Sequence, residues 1–364
     1  MLPYPEFEAR LLASVRRHHL PIAGALELTY RCNFACVHCF QQDARDQAEL
    51  GPARWTAIID QIAAAGCLWL TITGGEATLH PDFAAIYEHA IRRGLLVTVF
   101  TNGSTLADAV IELFVRLPPR TLEISLYGAS PATYAQVTGE ARRYEAAMAG
   151  VRRAVGAGLA VHLKTMVFDA TRPDLEAMQA LASTLGAPFR FDTLVHATLG
   201  RSRAPSARRL PPQAAVAAEA LAVRFEPRGT GARSTPPDPE HVYRCGAGRF
   251  AFTVAPDGFL QACTLTRGLR FDLSQIAFAD AWAALGEEAA RRYSSPAKRC
   301  AGCAIRQVCG TCPGVAELET GDPEAAVPDV CAAAHLRAAR NPERLRPQSA
   351  TAPLDADQRE PELP

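Results

Sequence analysis

An excess of charge of either sign is missing from this chain. Its 38 Lys plus Arg equal its 38 Asp plus Glu. A balanced chain lacks the electrostatic footprint of a nucleic-acid or other polyanion partner. The N-terminus, Met-Leu-Pro-Tyr-Pro-Glu-Phe-Glu, has no basic stretch leading into an apolar one, so no secretory signal is expected. No uninterrupted apolar run is long enough to span a bilayer. These absences predict a cytoplasmic protein with no nucleic-acid and no membrane partner. What is present is globular composition, 48% hydrophobic and 21% charged, in 364 residues that allow more than one domain.

Cysteine is abundant and unevenly placed. Eleven cysteines in a reducing compartment argue for metals rather than for a disulfide framework. Cys32, Cys36 and Cys39 follow the apolar run Ala25 to Tyr30 in Cys-x3-Cys-x2-Cys spacing. Seven more lie between Cys245 and Cys331, and Cys67 is left over. Cys67 precedes a predicted strand and reads as a buried, inert thiol. Three thiolates in one short loop can converge on one metal centre, and thiolates ligate both iron–sulfur clusters and structural zinc. A zinc site needs a fourth ligand. His38 serves by count, but it lies between two ligands and would have to point back at their metal. A four-iron cluster held by three cysteines leaves one iron open to a small molecule.

Residues 1–23 read as an N-terminal helix and a turn closed by Pro21. Strands and helices then alternate. Short runs rich in Leu, Ile, Val, Thr or Phe predict strands at 24–30, 68–73, 95–101, 121–127, 159–167 and 188–194. Helical patterns lie between them at 52–65, 81–93, 105–117, 142–157 and 173–186, with Gly94, Gly158 and Gly186 following helix ends. Six β/α units in succession predict an α/β fold with a parallel barrel, complete or partial. In such barrels chemistry sits at the C-terminal ends of the strands, where the cysteine loop follows strand one.

Strand two ends in Thr73-Gly74-Gly75-Glu76. Two glycines let a ligand approach the backbone, and Glu76 offers a carboxylate to an ammonium group; the plain alternative is a tight turn. Asn102-Gly103 closes strand three as a turn or as part of a site. Strand four ends in Ser125-Leu126-Tyr127-Gly128. Lys164 in strand five either meets an anion or is a polar strand end. From Thr198 to about Glu240 the texture becomes Arg-, Ala-, Pro- and Gly-rich, with a helix at 211–224. This reads as a bridge whose basic residues form a solvated face. Downstream, Phe250 to Cys263 reads as a hairpin turning at Pro256-Asp257-Gly258, which brings Cys245 near Cys263. Cys300-x2-Cys303-x5-Cys309-x2-Cys312 and a lone Cys331 complete the set.

The triplet, with His38 just before its last Cys, resembles the cluster-binding loop of radical S-adenosylmethionine (radical SAM) enzymes. Six units rather than eight match that family's partial (β/α)6 TIM-like barrel. The resemblance implies S-adenosylmethionine on the open iron of a [4Fe-4S] cluster. It implies His38 and Phe40 flanking the adenine, Gly74, Gly75 and Glu76 at the amino group, and Ser125 hydrogen-bonding the cofactor. Asn102 ends its strand as relatives do, and Lys164 is a candidate for the cofactor carboxylate. Val137-Thr138-Gly139 occupies a place where many relatives carry an Arg for that carboxylate, so Arg142 or Arg143 is expected to substitute. The later cysteines resemble the C-terminal cysteine-rich SPASM domain, which holds two auxiliary [4Fe-4S] clusters, making three in all. By resemblance Cys300, Cys303, Cys309 and Cys331 hold the distal one, and Cys245, Cys263 and Cys312 the nearer one. One departure is visible: the last spacing of the quartet is two residues where the usual pattern has three, which puts Cys312 in question.

The expected organisation is 1–23 lead-in, 24–197 barrel, 198–240 bridge, 241–335 auxiliary domain and 336–364 disordered tail. The resemblance implies a peptide maturase. A 5′-deoxyadenosyl radical abstracts hydrogen from a ribosomally made precursor peptide and leaves a thioether or carbon–carbon cross-link. With about 23 residues before strand one, no winged-helix leader-binding module is expected. Leader recognition then falls to a separate protein or to the barrel rim, and electrons come from a flavodoxin or ferredoxin. An anaerobic sulfatase maturase is the rival, but its Asp base directly after the second hairpin Cys is here Thr264. A small-molecule radical SAM dehydrogenase is a further alternative, disfavoured by the full set of seven C-terminal cysteines. A zinc-bound binding protein without catalysis would be told apart by its metal content.

Overall fold

The computed structural model describes residues 4–222, 241–295, 298, 300–306 and 309–340. Six strands alternate with helices: β1 (Ala23–Thr29), β2 (Trp69–Gly74), β3 (Leu96–Thr101), β4 (Thr121–Ser125), β5 (Val161–Met166) and β6 (Phe189–Asp192). Around them lie α1 (Tyr4–Arg17), α2 (Pro52–Ala64), α3 (Phe83–Arg92), α4 (Asp108–Arg116), α5 (Pro131–Thr138), α6 (Arg143–Gly156), α7 (Leu175–Thr184) and α8 (Pro212–Ala222). The second half adds β7 (Ala251–Val254), β8 (Phe259–Gln261), β9 (Phe271–Asp272), α9 (Phe278–Ala289), α10 (Pro313–Thr320) and α11 (Pro328–Arg340). One sheet runs in the order β6-β5-β4-β3-β2-β1-β7-β8-β9. Its first seven strands are parallel and the last two antiparallel, so the barrel is partial.

The buried faces explain why these strands form. Leu26, Leu28, Ile72, Val99, Leu122, Ile124 and Leu163 are fully enclosed and belong to one core with Trp55, Ile58 and Ile59 of α2. Several expected boundaries move. Strand four stops at Ser125 rather than residue 127; Leu126 N still donates to Lys164 O at 2.8 Å, and Tyr127 turns to line the cavity at the strand ends. Strand six stops at Asp192. Helix α5 lies in a stretch with no helix expected. Its punctuation is nonetheless local: the Ser130 hydroxyl accepts from Thr133 N at 3.2 Å, Pro131 opens the helix, and Gly139 closes it at φ 86°.

The expected division at residue 240 does not divide the sheet. Ala23, Gly24, Ala25 and Leu26 of β1 register with Ala251 to Val254 of β7, and Phe252 and Phe278 share the barrel's core. Without β7, β1 would be an open edge with a row of unpaired amides and carbonyls. A hairpin read locally carries no sign of that distant partner. The expected bridge is also anchored. Leu199 N donates to Phe40 O at 2.8 Å, and Asp43 accepts from Thr198 and from Gly200 N. Arg209 is no solvated residue: its guanidinium forms a buried pair with Glu319. Residues 223–240 of that bridge lie outside the described residues. Residues 336–340 of the expected tail belong instead to α11, which continues to Arg340 with Ala338 buried; 341–364 lie outside the described residues. No helix among the described residues is long and apolar enough to cross a membrane.

Cys67 lies at the start of β2, away from the cysteine loop, with burial pushing its pKa up to about 12. It is expected to resist iodoacetamide at neutral pH until the chain unfolds, while exposed Cys245 reacts first. Peptide mass mapping of the metal-free protein checks this, and early Cys67 labelling would contradict it.

Candidate active site

The cysteine loop leaves the C-terminal end of β1 and is fastened on both sides. Val37 N donates to Val137 O at 2.9 Å, and Cys39 N to Cys36 O at 3.0 Å. Asn102 Nδ2 donates to Asn33 Oδ1 at 2.8 Å and reaches Cys32 Sγ at 3.9 Å. The three thiols face one another. Burial lifts the Cys32 pKa to about 11 and raises those of Cys36 and Cys39, and the charges of neighbouring thiolates push Cys32 and Cys36 further up.

Beside them opens a cavity of about 220 Å³. Its wall includes all three cysteines and His38, Phe40, Gly74, Gly75, Asn102, Ser125 and Lys164. The sequence had marked each of these. His38 packs against Tyr127 and Phe168, with ring centroids 5.6 and 4.7 Å away. Burial lowers its pKa to about 4, and its Nδ1 is enclosed without a hydrogen-bond partner. Lys164 stacks over Phe100 and stands 3.8 Å from Glu123; burial depresses its pKa far below that of a free lysine, against the pull of Glu123.

Three expected roles change. The two glycines serve the chain before they serve a ligand. A Cβ on Gly74 would lie 2.1 Å from Thr29 O, and one on Gly75 2.4 Å from Arg31 O, so both let β2 close against the cysteine loop. Glu76 is fully buried and does not line the cavity. Its carboxylate accepts from Asn102 N at 2.7 Å, from Thr78 Oγ1 at 2.7 Å and from Thr101 Oγ1 at 2.9 and 3.0 Å. It therefore fixes the cavity wall from behind. Neither expected arginine reaches the cavity: Arg142 is exposed on Glu140, and Arg143 is turned onto Glu140 and the Thr138 carbonyl. Gln41, Arg45, Tyr127, Met166 and His196, which no local motif marks, line it instead.

The later cysteines form two further sets. Cys263, whose pKa burial raises to about 12, feels the charges of Cys312 and Cys245. Cys312 feels Cys245 in turn. Cys300 is raised by burial and by the charges of Cys309, Cys331 and Cys303, and Cys309 by burial and by those of Cys303 and Cys331. Cys312 thus sits with the hairpin cysteines despite its short spacing. Among the described residues no three or more His, Cys, Asp or Glu side chains form a site for a metal ion.

One buried carboxylate joins the halves. Glu27 of β1 accepts from Gln41 Nε2 at 2.9 Å, from Tyr30 OH at 2.8 Å and from the Thr264 hydroxyl next to Cys263. Burial raises its pKa, opposed by these hydrogen bonds and by Arg267.

A sheet of this order, with a thiol triplet at the end of its first strand, is an α/β scaffold that known proteins share. The radical SAM superfamily description matches residues 26–182, and the chain carries a radical SAM domain there. The chain is 30% identical over 176 residues to the mycofactocin maturase MftC of Mycobacterium tuberculosis, covering 48% of this chain and 45% of the relative. It is 29% identical over 255 residues to the PqqA peptide cyclase of Ruegeria pomeroyi, 67% of each. The chain spans about half the length of several curated relatives it matches. The crystal structure of Streptococcus suis SuiB bound to S-adenosylmethionine superposes with a TM-score of 0.66 at 16% identity, covering 91% of this chain and 84% of that one. That likeness shows the fold.

A radical SAM domain implies S-adenosylmethionine and one [4Fe-4S] cluster. The cavity fits them: three thiols, the rings of Phe34, His38, Phe40, Phe100 and Tyr127, and the cations of Arg45 and Lys164 share its wall. Glu76→Ala would leave Asn102 N and Thr101 without their buried acceptor, costing about 1–3 kcal/mol. The expected result is about ten- to hundredfold weaker S-adenosylmethionine binding by calorimetry on the iron-loaded protein. Unchanged affinity would refute Glu76 as the support of this wall.

Proposed function

We propose that this chain is a radical SAM/SPASM maturase that oxidatively cross-links a ribosomally made precursor peptide. The observation that carries the reading is the sorting of ten cysteines into three neighbouring sets, with the first set opening onto the cavity. In this reading Cys32, Cys36 and Cys39 hold the cluster that binds S-adenosylmethionine. Cys245, Cys263 and Cys312 hold a nearer auxiliary [4Fe-4S] cluster, and Cys300, Cys303, Cys309 and Cys331 a distal one, within an auxiliary domain at 241–335. Together, reduced cluster and cofactor supply a 5′-deoxyadenosyl radical able to take hydrogen from an unactivated carbon.

The chain's own residues bind, orient and exclude water. His38, Phe40 and Tyr127 offer faces to an adenine. Asn102 and Ser125, with the backbone at Gly74 and Gly75, meet polar groups, and Lys164 is the candidate for the carboxylate. The three-thiolate nearer set leaves an iron for the thiolate of a substrate Cys, which favours a thioether over a carbon–carbon bond. Two related names support a peptide substrate: the PqqA peptide cyclase among curated relatives, and a solved complex of SuiB with its precursor peptide SuiA among the fold relatives. A separate leader-recognition protein and a flavodoxin or ferredoxin complete the proposed partners.

Co-expression with short reading frames encoded beside this chain, followed by intact-mass analysis, tests the proposal. A peptide about 2 Da lighter, resistant to thiol alkylation, is the expected product of one thioether. Neighbouring peptides that stay unmodified beside an iron-loaded, S-adenosylmethionine-cleaving protein would refute the maturase reading.

A further inference from the structure

Two cationic side chains line the inner cavity, Arg45 and Lys164. Lys164 already has a carboxylate nearby, Glu123 at 3.8 Å. No ion pair joins Arg45 to a carboxylate among the described residues. Its Nη2 donates instead to Phe34 O at 2.5 Å. Phe34 lies between Cys32 and Cys36 in the chain. One guanidinium thus braces the middle of the cysteine loop and shares a cavity wall with Cys32, Cys36 and Cys39. An unpaired, half-enclosed cation is poorly placed unless something negative belongs beside it.

We propose that Arg45 is the built-in counter-cation of the Cys32–Cys36–Cys39 centre, bracing the loop through Phe34 and raising the reduction potential of the cluster the triplet holds. The inference rests on the cluster assignment under Proposed function. Reduction adds one electron from an external low-potential reductant and makes the centre one charge more negative. A fixed positive charge on the wall beside the centre stabilises that reduced form. Arg45 acts through the thiolates and the loop, so it is a positioning residue.

The test is a redox titration of the iron-loaded protein with dithionite, followed by electron paramagnetic resonance. The triplet's signal is the one that changes when S-adenosylmethionine is added. Arg45→Gln and Arg45→Met remove the charge, and Arg45→Lys keeps it. In the two neutral variants the reduction equilibrium is expected to weaken about tenfold, a midpoint about 59 mV more negative for one electron. In Arg45→Lys it is expected to stay within about threefold of the parent. Iron retained by the Lys variant alone would also support the charge. An unshifted midpoint in either neutral variant at full iron content overturns the proposal. Iron loss from all three variants overturns it too, leaving Arg45 as a loop brace. A parent protein with no S-adenosylmethionine-responsive signal would instead remove the cluster assignment beneath it.

Discussion

On the cluster assignment proposed above, replacing Cys32, Cys36 and Cys39 together by Ala is expected to abolish 5′-deoxyadenosine formation while the iron assigned to the later cysteines stays in place. The three thiols sit on the wall of the one cavity that also holds His38, Phe40, Asn102 and Ser125. The other seven cysteines form sets of their own, reached through β7–β9 and α10–α11. Loss of the first centre therefore removes the electron entry point for the cofactor without unfastening the others. The loop itself keeps its backbone ties at Val37 and its link from Asn102 to Asn33, so the fold should survive. Chromatographic assay of 5′-deoxyadenosine and iron analysis read the two effects separately. Continued 5′-deoxyadenosine release from the triple variant would end the radical SAM reading of the triplet.

The second large effect is expected at Gly74. Its φ of 142° is strained for any residue with a side chain, and its missing Cβ would stand 2.1 Å from Thr29 O. The obstacle is backbone of the neighbouring strand, which cannot swing aside as a flexible side chain would. Gly74→Ala must push β2 off β1 where the cysteine loop begins, at a cost of about 3 kcal/mol. Gly51→Ala is the control: φ there is −75°, nothing lies within 4 Å, and a change of a few tenths of a kcal/mol is expected. Denaturant unfolding of the metal-free proteins measures both. Equal midpoints for the two variants would show that β2 has room the structure does not record.

Local motifs made much of this site legible. The triplet, His38, Phe40, Gly74, Gly75, Asn102, Ser125 and Lys164 all reach one cavity because each stands at a strand's C-terminal end or just past it. Side-chain direction was less legible. Glu76 occupies the expected place, yet its carboxylate turns inward because Asn102 N, Thr101 and Thr78 offer it donors there. Arg45, Gln41 and Glu27 carry no motif. Their importance comes from folding, which ties Arg45 to the Phe34 carbonyl and places Glu27 beside Thr264, far along the chain. The pairing of β1 with β7 was hidden for the same reason: a strand's own pattern gives its faces, not its neighbour.

That pairing sets an order of events while the chain is being made. Ala23 finds its partner at Ala251, so β1 stays an unfinished edge until more than two-thirds of the protein has left the ribosome. The loop bearing Cys32, Cys36 and Cys39 springs from that strand. Gln41, two residues beyond the loop, is tied through Glu27 to Thr264, which emerges later still. The first cysteines to be synthesised are thus among the last to be fully framed. A truncation ending before β7 would present the triplet on an open edge, and iron delivered before Thr264 emerges would find an unclosed cradle.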